Sequence, residues 1–116
     1  MPKTSSSSVA VKSLPRDEIA RRVRIYAEAL RRAHPEIERI VWFGSWANGV
    51  PVPGSDVDLC IVLTHSNKRL RDRIPDYLPG AFPLGLDIFP YTRSELERLG
   101  RESPQWHRCL TSGIPL

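Results

Sequence analysis

The chain has 116 residues, of which 26% are charged and 41% are hydrophobic, and its net charge is +4 with a pI near 9.5. This length suits one domain with a real core and argues against a large second ligand domain. No apolar run approaches membrane-spanning length, and the first residues lack the apolar segment of a signal peptide. The composition therefore predicts a soluble, cytoplasmic globular domain without a membrane partner. Its positive charge is consistent with a polyanionic partner such as a nucleoside triphosphate.

Residues 1–13 contain a serine run without hydrophobic periodicity, which is typical of a flexible tail, and residues 14–116 are predicted to form a single domain. Cys60 and Cys109 lie far apart in apolar surroundings, so we expect reduced, buried thiols rather than a disulfide or metal pair. Aromatic residues are not interleaved with the arginines of the helices, so a nucleic-acid partner is not expected.

Helical and strand patterns alternate along the domain, which predicts an α/β (α+β) fold with helices packed on a small mixed sheet. Within the second predicted helix, Leu70 and Ile74 are expected to face the core and Arg73 to face solvent. Thr92 and Glu95 have the spacing of a capping box at the start of the third. The predicted elements are a helix at Pro15–His34, a strand at Arg39–Phe43, a short helical turn at Ser45–Gly49, a strand at Asp56–Leu63, a helix at Asn67–Tyr77, a strand at Leu84–Tyr91, a helix after Thr92 and a helix at Ser103–Gly113.

Three aspartates accompany two of the predicted strands. Side chains alternate across a strand, so Asp56 and Asp58 share one face at a separation of roughly 7 Å. No lysine or arginine in that strand compensates their mutual repulsion, and Asp87 lies in apolar company on the next strand. Three carboxylates suit Mg²⁺, and two such ions can clamp an in-line phosphoryl or nucleotidyl transfer.

Gly44 and Ser45 directly follow a predicted strand, where a glycine backbone and a helix start form a natural phosphate cradle. The sequence has no Walker loop. Core or rim packing is the leading interpretation of Trp46, and a wall for a nucleotide base is the alternative. Each feature alone also fits an ordinary turn or a solvated strand end. Their order along the chain favours one phosphate and metal site.

Gly44-Ser45, followed after ten residues by Asp56-x-Asp58, resembles the signature of the minimal nucleotidyltransferases in the DNA polymerase β superfamily. The order of elements is similar over about residues 16–116, including a later strand that carries the third acid, Asp87. The resemblance implies a polymerase β-like fold and an enzyme that transfers a nucleoside monophosphate, AMP from ATP in the leading interpretation, to an acceptor hydroxyl.

The same resemblance implies roles for individual residues. Asp56 and Asp58 would bind two Mg²⁺ ions, and Asp87 would ligate the catalytic ion and help to activate the acceptor hydroxyl. The residues assigned to nucleotide binding are Gly44, Ser45 and Asn48, the last at a position where many relatives carry an arginine.

Small members of this family are often antitoxins of all-helical HEPN ribonucleases, so the resemblance implies a protein adenylyltransferase with a HEPN-type partner. The chain ends soon after its last predicted helix, so we expect a partner or another copy of the chain, in a homo-oligomer, to complete the acceptor site. Two alternatives stay open. One is a non-catalytic binding module that neutralises its partner by complex formation, and the other is adenylylation of a small molecule such as an aminoglycoside.

Overall fold

The structure, a computed structural model, describes residues 15–47, 56–80, 82 and 85–116. The predicted tail at residues 1–13 lies outside this part, as does the segment 48–55. No helix among the described residues is long and apolar enough to cross a bilayer. The elements in chain order are α1 (Arg16–Ala33), β1 (Ile37–Phe43), β2 (Val57–Leu63), α2 (Leu70–Tyr77), β3 (Leu86–Thr92), α3 (Arg93–Glu102), α4 (Pro104–Thr111) and β4 (Ile114–Pro115).

The strands form one mixed sheet in the order β3-β2-β1-β4. β1 runs antiparallel to β2 and β4, whereas β3 runs parallel to β2. This arrangement confirms the predicted α+β fold with a mixed sheet. Because of these directions, the carboxyl end of β1 and the amino ends of β2 and β3 meet at the same end of the sheet.

The sheet has helices on both faces, because its strand residues alternate between two cores. On one face α1 buries its apolar stripe, which includes Ile19, Val23 and Leu30, against residues such as Leu59 and Ile61 of β2. The opposite face packs against α3 and α4 through the residues Val41, Phe43, Cys60, Val62, Leu96 and Leu110. β2 is thus buried on both faces, which accounts for its nearly continuous apolar sequence.

Local sequence signals fix several boundaries. Pro15 is the N-cap of α1, and α3 begins with the predicted capping box of Thr92 and Glu95. Pro104 occupies the first turn of α4, where its missing N–H is not needed. The two-residue strand β4, which pairs with Val41 and Trp42, was not predicted, because so short a segment carries no periodicity.

Two predictions about exposure are wrong. Arg73, expected to face solvent, is buried, because its guanidinium donates to both carboxylate oxygens of Glu95 on α3 at 2.6 and 2.9 Å and to the carbonyl oxygen of Pro90. Cys60 is a buried free thiol as expected, but Cys109 is exposed, because it lies on the outer side of α4.

Candidate functional site

One end of the sheet brings together the polar residues that the sequence singles out. Gly44 and Ser45 follow β1, Asp56 and Asp58 lie at the start of β2, and Asp87 is the second residue of β3. The antiparallel direction of β1 and the parallel direction of β3 make these three chain ends neighbours. Residues separated by as many as 43 sequence positions therefore converge on one surface.

Asp58 lies at the centre of this end. It pairs with Phe43 of β1 on one side and with Asp87 of β3 on the other. Gly44 has a positive φ of 86°, and a Cβ atom at this residue would lie 2.2 Å from Oδ2 of Asp58. A glycine is needed here both for the backbone conformation and to leave space for the carboxylate. The sequence predicted close approach of a ligand to Gly44, whereas in the structure the Asp58 side chain occupies that space.

The Asp56 side chain also lies against a glycine, Gly85, which the sequence analysis did not identify. A Cβ atom at Gly85 would lie 2.1 Å from Oδ1 of Asp56, and the Gly85 carbonyl accepts a hydrogen bond from the Val57 amide at 2.9 Å. The signal was present in the sequence, because Gly85 precedes Asp87 by two positions and so shares its side of the chain. The Asp56 carboxylate therefore leans toward β3, whereas that of Asp58 leans toward β1.

Burial and neighbouring carboxylates raise the pKa of two of these aspartates, Asp58 and Asp87. Burial, followed by the nearby charges of Asp87 and Asp56, raises the pKa of Asp58 to about 6. Burial, the charge of Asp56 and a side-chain hydrogen bond with it raise the pKa of Asp87. Within the described ranges, no lysine, arginine or histidine nitrogen lies within 4.0 Å of any of these carboxylates. This end of the sheet is therefore a concentration of uncompensated negative charge.

A search of protein-family models matches residues 23–107 to the nucleotidyltransferase domain. This chain belongs to the nucleotidyltransferase domain family. The matched segment covers most of the chain and contains the whole acidic end of the sheet, from Gly44 to Asp87. Membership implies a nucleoside triphosphate as substrate and transfer of a nucleotidyl group from it.

The fold comparison agrees with this assignment. A crystal structure from Sulfolobus solfataricus, described as that of a candidate nucleotidyltransferase, superposes with a TM-score of 0.58 over 79% of each chain, at 20% sequence identity. At this identity the likeness shows a shared fold. A search of curated proteins finds no significant match.

The donor set of this nucleotidyltransferase domain fits a divalent cation in its chemistry. Carboxylate oxygens are the ligands that Mg²⁺ prefers, and a cation would offset the burial and like charge that raise the pKa values of Asp58 and Asp87. Among the described residues, however, no group of three or more histidine, cysteine, aspartate or glutamate side chains is already placed to hold a metal. The opposite leanings of Asp56 and Asp58 are consistent with this result.

The remaining predicted site residues have different outcomes. Ser45 lies in a turn that includes residues 45–47, so the described part of the predicted short helix is not helical. Asn48 lies outside the described residues. Trp46 packs against the core on the α1 face, whereas the three aspartates lie on the face of Phe43 and Cys60.

Proposed function

We propose that this chain is a Mg²⁺-dependent nucleotidyltransferase that transfers AMP from ATP to an acceptor hydroxyl on a protein. The observation that carries the proposal is the concentration of Asp56, Asp58 and Asp87 at one end of the sheet, with the pKa of Asp58 raised to about 6 and no cationic side chain of the described chain beside them. Such a site is stabilised by a divalent cation, and Mg²⁺ can be shared between these carboxylates and the phosphates of ATP.

In this proposal the β1 side and the β3 side of the acidic end have different roles. Asp56, Asp58 and Asp87 would hold the metal, which would supply positive charge to the triphosphate and polarise its α-phosphate. Gly44 and Ser45, on the β1 side, bind the β- and γ-phosphates. The acceptor hydroxyl approaches from the β3 side, where Asp87 receives its proton. The acceptor oxygen forms a bond to the α-phosphorus while the bond to the bridging oxygen breaks, and pyrophosphate leaves toward β1.

The acceptor that we favour is a hydroxyl on a HEPN-type toxin, which the chain would silence as its antitoxin. This part of the proposal rests on the resemblance of the Gly44-Ser45 and Asp56-x-Asp58 motifs to minimal nucleotidyltransferases. The acceptor would be presented at the open end of the sheet by the partner.

Transfer of label from α-labelled ATP to a co-purified HEPN-type protein tests this function. We expect labelling with Mg²⁺ that disappears with a chelator and in the Asp58→Asn variant. The matched control is Asp72→Asn, which makes the same change at an exposed residue of α2. Equal labelling by the Asp58→Asn variant and the parent would show that the proposed site is wrong.

A second candidate is a binding module that neutralises its partner without catalysis. It is favoured by the finding that, in the described segments, no three metal-ligating side chains are already grouped. It predicts that an Asp56→Asn/Asp58→Asn double variant still binds and neutralises the toxin. Retained binding with loss of neutralisation would contradict it and support the catalytic function.

A further inference from the structure

An aromatic cluster borders the three aspartates on the same face of the sheet. Phe43 is the register partner of Asp58, and Phe89 follows Asp87 by two residues, so strand alternation puts Phe89 and Asp87 on one face. Trp106 of α4 completes the cluster. The ring centroids lie 5.6 Å apart for Phe43 and Phe89, 5.9 Å for Phe43 and Trp106, and 5.4 Å for Phe89 and Trp106.

The cluster is closely packed although its members come from three elements. Phe43 and Phe89 belong to strands on opposite sides of β2, which neighbouring strand spacings would separate by about 9–10 Å. Their rings meet because the β2 residue beside Phe89 is Cys60, whose side chain is small and buried. Trp106 stands nearly perpendicular to both rings, at 84° and 77°, and its indole N–H donates to the Tyr91 hydroxyl at 3.2 Å. The indole is therefore held in a fixed orientation.

Burial separates one member of the cluster from the other two. Phe43 is buried, whereas Phe89 and Trp106 are only partly buried. We call Phe89 and Trp106 the aromatic wall. Packing alone accounts for Phe43, but Phe89 and Trp106 keep part of their surface accessible, and Phe89 lies on the strand face that carries Asp87. Such surface is suited to a ligand that is flat at one end and anionic at the other.

We propose that the aromatic wall binds the nucleobase of the nucleoside triphosphate. This inference rests on the proposed function. In-line transfer runs across the strands, with pyrophosphate leaving toward Gly44 on β1 and the acceptor entering beside Asp87 on β3. The base is joined to the α-phosphate through the ribose, and Phe89 of the wall lies on the same strand face as Asp87, two residue pairs further along β2 and β3.

The aromatic wall takes the place of Trp46, the residue that the sequence offered for contact with a nucleotide base. Trp46 packs against the core on the α1 face, opposite the carboxylates, whereas Trp106 packs against the core on their own face. Aromatic side chains stack on any base through its π-face, so the wall supports affinity for the nucleoside without a hydrogen-bonding code.

Binding of ATP and of inorganic tripolyphosphate, each with Mg²⁺, tests the base site by calorimetry on the full chain. Tripolyphosphate carries the anionic part of the ligand without the base. For the Trp106→Leu variant we expect ATP affinity to fall about tenfold, as for loss of one base-stacking ring, and tripolyphosphate affinity to stay at the parent value. Trp46→Leu is the matched control, and it should leave both affinities unchanged.

Further substitutions at the wall distinguish the loss of base binding from a folding defect. Trp106→Phe keeps a stacking ring and should recover most of the ATP affinity, whereas Phe89→Leu should lose affinity for ATP alone. Two outcomes would overturn the base site and leave the proposed nucleotidyltransferase function in place. One is equal ATP affinity in the parent and in the variants Trp106→Phe, Trp106→Leu and Phe89→Leu. The other is a loss of ATP affinity in Trp46→Leu alone. If the parent binds neither ATP nor tripolyphosphate, the proposed function fails, and the base site fails with it.

Discussion

Two regions of this domain each place at least one charged side chain in a buried or partly buried position, and they compensate its charge in opposite ways. On the α2–α3 side, the buried guanidinium of Arg73 pairs with both oxygens of Glu95, whose second role is to cap α3 at Thr92. At the acidic end of the sheet, Asp58 and Asp87 are neighbours of like charge. We call these two regions the ion pair and the acidic end.

The pKa values record this difference. A hydrogen bond from Arg73 lowers the pKa of Glu95 to about 2, so the charged form is stabilised within the protein itself. Burial and like charge raise the pKa of Asp58 to about 6, so its charged form is disfavoured unless a cation binds beside it. A charge that the chain compensates serves the fold, and one that it leaves uncompensated is a candidate for ligand binding.

The largest effect that we expect is the loss of activity when the acidic end is neutralised. Asp87→Asn should lower nucleotidyl transfer by about 10³-fold, because it removes one anchor of transition-state charge stabilisation. Its melting temperature should stay the same or rise, because one of three repelling charges is gone. Steady-state label transfer and thermal unfolding measure the two effects. If Asp87→Asn loses stability rather than activity, then Asp87 has a structural role, as Glu95 does.

The ion pair should show the reverse pattern. Arg73→Ala leaves the Glu95 carboxylate without its partner and should lower the free energy of unfolding by about 3 kcal/mol. The folded protein that remains should keep its specific activity. Lys68→Ala is the control, because it breaks an exposed ion pair with Asp76 and should cost under about 1 kcal/mol. Urea unfolding compares the two variants, and equal small losses would contradict a structural role for Arg73.

The contrast also shows what could be read from the sequence. Periodicity and capping signals predicted the helices and the three main strands, since these patterns are local. The burial of Arg73 could not be predicted, because its partner lies 22 residues away on another helix. At the acidic end, the identity of the three aspartates followed from their unusual position in apolar strands. The directions in which the Asp56 and Asp58 side chains point could not be predicted, because they depend on the two glycines that face these residues.

Gly85 offers a sharper test of the acidic end, because it changes the position of a carboxylate and not its charge. In Gly85→Ala the new methyl group would occupy the space of the Asp56 carboxylate, which must rotate away. We expect activity to fall by about 10- to 100-fold, as for a displaced catalytic group, with little change in stability. Gly80→Ala is the matched control, because a Cβ atom there meets no other atom within 4 Å. Equal activity of both variants would show that the position of Asp56 is unimportant.

The smallest effect that we expect is in the pH dependence of stability, where the two regions differ in sign. The folded pKa of Asp58, about 6, lies above its ordinary value of 3.8, so the folded state binds more protons and stability falls as pH rises from about 4 to about 6. After allowance for solvent screening we expect a loss of about 1 kcal/mol, measured by urea unfolding without divalent ions. Asp58→Asn should reduce this loss to the part that Asp87 contributes, and Asp72→Asn should leave it unchanged.

The ion pair acts on a separate range of pH. The pKa of Glu95 is lowered from 4.5 to about 2, so its stabilisation is present above about pH 4.5 and is lost as pH falls toward 2. Stability should therefore rise with pH through the titration of Glu95 and fall with pH through that of Asp58. The falling limb should weaken in Asp58→Asn and disappear in the Asp58→Asn/Asp87→Asn double variant, because the pKa of Asp87 is raised as well, and the rising limb should weaken in Glu95→Gln. A falling limb of parental size in the double variant would mean that the uncompensated charge resides elsewhere in the chain.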